Sequence, residues 1–97
     1  MATKKTILIN GKDYPCFKTL AANFDFKDVT GKEATQIDPE SLTDIIVYMW
    51  ATIKGACKRL EMEFPFDSPR ELAVYLDDDH IVEWTNIINA KPEGKKK

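Results

Sequence analysis

Cysteine, histidine and glycine, from which redox pairs, metal sites and phosphate loops are commonly built, are scarce here: two, one and four in 97 residues. Cys16 and Cys57 lie far apart and form no C-x-x-C pair. A secreted domain of this size usually carries a denser disulfide framework, so a reducing compartment is expected. The glycines are scattered and make no phosphate-cradling loop. Long apolar runs are missing too. The longest, Ile45 to Ala51, is far below the ~20 residues a membrane helix requires. Ile7-Leu8-Ile9 is too short for the apolar stretch of a signal peptide. These absences lead to the expectation of a cytoplasmic protein without membrane contact.

Excess charge of one sign is lacking as well. A formal net charge of −2 offers little of the cationic surface on which nucleic-acid binding depends, and no nucleic acid is expected as a partner. The one basic run, Lys95-Lys96-Lys97, reads as a disordered, solubilising tail over 91–97. What is present is an ordinary globular composition, 43% apolar and 31% charged, with ten aromatic residues to give bulk to one modest core. The length fits a single domain over 1–90, with a hairpin at 6–17 and a helical part at 19–90.

Along the chain, Ile7-Leu8-Ile9 followed by Asn10-Gly11 predicts a β-hairpin, with Pro15 confining the return strand to an edge. Thr19 to Thr30 predicts a short helix. Leu20 and Phe24 share one face, Phe26 and Val29 form a neighbouring stripe, and Gly31 stands at the left-handed stop. A polar loop follows over 32–36. Asp38-Pro39 then signals the start of the main helix, Asp38 as N-cap and Pro39 at its first position. Its core stripe runs Leu42, Ile45, Ile46, Met49, Ile53, Ala56, Cys57 and Leu60. Ser68-Pro69-Arg70-Glu71 reads as a capping box opening a further helix. A last helix is expected from about His80 to Ala90, with Asp79 as its N-cap and Ile81, Trp84, Ile87 and Ile88 facing inward. The fold class is thus α+β, mainly α: an N-terminal β-hairpin and about four helices around a central hydrophobic helix.

Asp77-Asp78-Asp79-His80 is the one acidic cluster beside a histidine. Consecutive residues point in different directions, however, and do not converge as metal ligands must. Nothing flanking Cys16 or Cys57 suggests an activated thiol. Neither a catalytic residue nor a cofactor is expected. Val47, Tyr48 and Ala51 fall off the core stripe and Trp50 lies on its margin, so two readings stay open for them. The hairpin and the last helix cover them, or they form an apolar face that binds a partner helix or a second subunit.

The order of features resembles the small tail assembly chaperones of long-tailed phages and prophages. The likeness rests on the strand Ile-Leu-Ile-Asn-Gly-Lys at 7–12, an aromatic second strand, and Phe26-Lys27-Asp28-Val29-Thr30-Gly31-Lys32-Glu33. It continues through the Ile37-Asp38 helix start, the hydrophobic helix from Leu42 through Lys58 and an acidic-aromatic segment ending in a short helix, so it spans about residues 6 to 90. It implies a non-enzymatic protein of the bacterial host cytoplasm. Such a protein binds the long helical tape measure protein, keeps it soluble and assists tail tube assembly, with the tail tube protein as a further partner; a homo-oligomer is left open by the apolar face above. Many members also exist in a longer, frameshifted form, and Gly94-Lys95-Lys96-Lys97 is the kind of ending an A-rich slippery stretch encodes. A generic interaction module, or a regulator of a prophage or mobile element, is the alternative.

Overall fold

Eleven consecutive positions in the middle of this chain, 47–57, are buried apart from half-buried Lys54, and the rest of the fold is arranged to cover them. The computed structural model describes residues 6–89. In order these form β1 (Thr6–Ile9), β2 (Lys12–Pro15), α1 (Leu20–Thr30), a 3-10 turn (Ala34–Gln36), α2 (Leu42–Arg59), α3 (Pro69–Ala73) and α4 (Asp78–Asn89). The class is α+β and mainly α, a two-stranded hairpin and four helices with α2 at the centre. The Lys-rich segment 91–97 lies outside the described residues.

The hairpin forms as its sequence predicts. Asn10 and Gly11 both take positive φ, 52° and 79°, so Ile9 pairs with Lys12 across a two-residue turn. Alternation then turns Ile7, Ile9 and Tyr14 into the core and leaves Leu8 outside. On α4, the His80 ring ties the hairpin down: Nε2 lies 3.0 Å from the Leu8 carbonyl oxygen. Nδ1 is 3.0 Å from both the amide nitrogen and a carboxylate oxygen of Asp77.

Helix α1 packs antiparallel on α2, with Thr19 against Gly55 at one end and Lys32 paired with Asp44 at the other. Gly31 ends α1 at φ 78°, its N–H donating to the Lys27 carbonyl. The inward face is Ala22 and Phe26, whereas Leu20 and Phe24 are 78% and 72% exposed and Val29 is exposed too. Small residues decide this orientation. Ala22 and Gly55 let the backbones approach, and Phe26 then meets Tyr48 edge-on with ring centroids 5.5 Å apart.

Three helix starts differ in detail from expectation. Helix α2 begins at Leu42, with Ser41 accepting from the Asp44 N–H at 3.2 Å. Asp38 is spent on a preceding turn, where its carboxylate accepts from the Glu40 N–H at 2.9 Å. In α3, Ser68 caps as predicted, but the Glu71 carboxylate reaches one residue further back, to the Asp67 N–H. Helix α4 is capped by Asp77, not Asp79: its carboxylate accepts from the Asp79 and His80 N–H groups at 3.1 and 3.3 Å. At the other end of α2, Glu61 takes the left-handed conformation, φ 59°, of a Schellman ending.

Two indoles pin the layers around α2. Trp50 Nε1 donates to the Phe66 carbonyl at 3.0 Å, and Trp84 Nε1 donates to Thr52 Oγ1 at 3.0 Å. The Thr52 hydroxyl in turn donates to the Met49 carbonyl. Replacing Thr52 by Val keeps the shape and strands the buried indole N–H. The expected cost is about 1–3 kcal/mol in denaturant unfolding, and a neutral variant would refute the bond's importance.

Gly55→Ala offers a sharper test. A Cβ there would lie 2.4 Å from Thr19 Oγ1, the atom that caps the Ala22 N–H. Alanine normally gains up to about 1 kcal/mol over glycine inside a helix. Here it should instead lower the melting temperature by displacing that cap, worth about 1 kcal/mol. In a Thr19→Ala background, where the clashing oxygen is gone, the same substitution should turn neutral or stabilising. Additive effects would rule out the close approach as the cause.

Candidate functional site

Four separate segments meet around an open apolar groove of about 690 Å³ on one side of α2. Its floor is the edge-to-face pair Tyr48 and Trp84, centroids 6.0 Å apart at 88°. Half-buried Ile37, Ile45 and Ile88 form apolar walls, and Asn23 and Thr85 supply polar rim. The Tyr48 hydroxyl donates to Asn23 Oδ1 at 3.1 Å, fixing the α1 rim to the floor. Burial raises the Tyr48 hydroxyl above its ordinary pKa, so it stays a neutral donor.

The turn 33–39 is polar by composition, yet Ala34 and Ile37 pack on the core and build one wall. Asp44 holds that turn in place. Although it lies in α2, this buried carboxylate pairs with the Lys32 ammonium and accepts from the Asp38 N–H at 3.0 Å. The Lys32 hydrogen bond, then the Asp38 N–H, hold its carboxyl below the ordinary value of 3.8 against an opposing desolvation.

Of the four residues singled out as a possible partner face, none presents an outward surface. Val47, Tyr48, Trp50 and Ala51 are all buried, packed against the α1, α3, α4 and hairpin elements that contact α2. Tyr48 still reaches the groove as its floor, and Val47 lies under a smaller hollow of about 510 Å³ between Val29, Ile46 and Pro69. Trp50 and Ala51 border neither.

The acidic run at 77–79 serves the α4 cap, and among the described residues no three or more His, Cys, Asp or Glu side chains gather as metal ligands could. Cys16 and Cys57 are buried, and burial pushes the Cys57 thiol up to about 11, which disfavours the nucleophilic thiolate. No helix among the described residues is long and apolar enough to cross a membrane. No protein family model, characterised protein or solved structure matches the chain.

Sequence reasoning placed Ile45 and Ile88 on inward faces without anticipating that both would border solvent. Lys18 and Ile37 gave no local signal, since the groove exists only once 18–23, 34–39, α2 and α4 are brought together.

Acidification should loosen the 33–39 wall. A carboxyl with a lowered folded pKa contributes stability above its unfolded value, and that contribution is lost as pH falls through the folded value. Asp44→Asn should therefore melt below the parent at neutral pH, with the gap closing in strong acid. A gap of constant size across the titration would refute the clamp.

Proposed function

We propose that this chain is a phage or prophage tail assembly chaperone that binds a helix of the tape measure protein in the groove between α1, the 33–39 turn and α4. The observation carrying this reading is the open apolar groove itself. Its isoleucine walls and aromatic floor suit the apolar stripe of an amphipathic helix, the usual partner of such grooves. Leu20 and Phe24 add support. They stand exposed one turn apart on α1, and Leu20 neighbours the rim residue Asn23, so apolar surface extends beyond the groove.

The physical task is shielding. A long amphipathic helix awaiting its tube subunits exposes an apolar stripe that drives aggregation, and a small protein that binds the soluble form shifts the balance by mass action. The residue order that resembles tail assembly chaperones is the support for this choice of client, and the groove is the support for the mode of binding. No bond need be made or broken.

Co-expression with the tape measure protein taken as client tests this. The parent chain should raise the soluble fraction of that protein several-fold. Ile37→Asp and Ile88→Asp, each placing a charge on a groove wall, should abolish the gain while keeping a cooperative thermal transition. An unaltered soluble fraction with the parent chain would remove the chaperone reading. Full activity of both variants would move the binding surface elsewhere.

A further inference from the structure

Charged residues of opposite sign stand by the groove, a lysine in its lining and two carboxylates beside it in sequence. Lys18 lines it where α1 begins, and it forms no ion pair among the described residues. Pro39 lines it at the other end, flanked in sequence by Asp38 and Glu40, both exposed and likewise outside any ion pair among those residues. Other charges of α1 and the turn after it are paired, Lys27 with Glu33 and Lys32 with Asp44.

The antiparallel packing of α1 on α2 sets the separation of the ends. Thr19 meets α2 at Gly55, and Lys32 meets it at Asp44. Those two levels are about eleven residues apart, roughly 16 Å of helix at 1.5 Å per residue. Between them the groove is apolar or neutral: Asn23, Ile45, Tyr48, Trp84, Thr85 and Ile88.

We propose that the groove selects its client helix by charge at both ends. The occupant is an amphipathic helix whose apolar stripe is bounded by a carboxylate at one end, set against Lys18, and by a Lys or Arg about ten residues away, set against Asp38 and Glu40. This rests on the groove being the helix-binding site, and it adds a pattern that can be sought in the client's sequence. The apolar contacts provide affinity, while the rim charges fix the direction in which the helix lies.

The test uses two synthetic helical peptides of about 18 residues, five turns, with the same Leu/Ala stripe. One carries Glu and Lys ten residues apart at the stripe margin, and the other carries Lys at both positions. Binding to the full chain is read by fluorescence anisotropy at low salt. The Glu/Lys peptide should bind about two- to five-fold tighter, the range for exposed ion pairs, and the preference should shrink in high salt. Lys18→Glu, at an exposed side chain outside any ion pair described here, should reverse the preference while leaving the melting temperature unchanged. Equal affinities, or a preference indifferent to Lys18→Glu, would overturn the charge selection and leave the groove reading intact. Failure of both peptides to bind, or binding unaffected by Ile88→Asp, would overturn both.

Discussion

The fold depends on one constraint: a helix apolar on nearly every side has no stable place at a surface. Met49, Ala51, Ile53, Ala56 and Cys57 are wholly buried, and Val47, Tyr48 and Trp50 nearly so, although they point in different directions around α2. Burying a large aliphatic or aromatic side chain contributes about 1.5–3 kcal/mol, so covering this helix outweighs any single polar contact in the molecule. Each other element is shaped by what it covers. The hairpin brings Ile7, Ile9 and Tyr14, α1 brings Ala22 and Phe26, the segment before α3 brings Phe66, and α4 brings Trp84. None of these elements is long enough to stand alone.

How much of this was legible varied with how local its causes are. Asn10-Gly11, Gly31 and Ser68 act within a few residues, and their turns and caps formed as read. Asp38-Pro39 reads as the start of α2, but the helix begins three residues later behind the Ser41 cap, and composition does not decide this. Asp44 does, through its tie to Lys32 twelve residues away. The buried face of α1 was ambiguous for a similar reason. Leu20 and Phe24 are the greasier pair, but the crossing is set by the smallness of Ala22 and Gly55, which a periodicity of large residues does not register. The α4 cap fell on Asp77 because its carboxylate lies closest to the free N–H groups of the first turn.

The groove was the least legible feature. Its lining comes from stretches about seventy residues apart, and the loop 32–36 reads as polar although Ala34, with Ile37 just beyond it, packs on the core. Tyr48 shows how a residue can answer two descriptions. It is a core side chain by burial and the base of the groove by position, so the choice between core and contact surface was too coarse. Trp50 instead engages Phe66 and Lys54 and lines neither hollow.

The placement of the two tryptophans has an optical consequence. Both indoles are shielded from solvent and hydrogen-bonded, so both emit from a dry, fixed environment in the native state. Trp84 alone underlies the groove, while Trp50 borders neither hollow flanking α2. The protein therefore carries a signal and its internal reference without any label: a helix bound in the groove as proposed would change the surroundings of one chromophore, and global unfolding changes both.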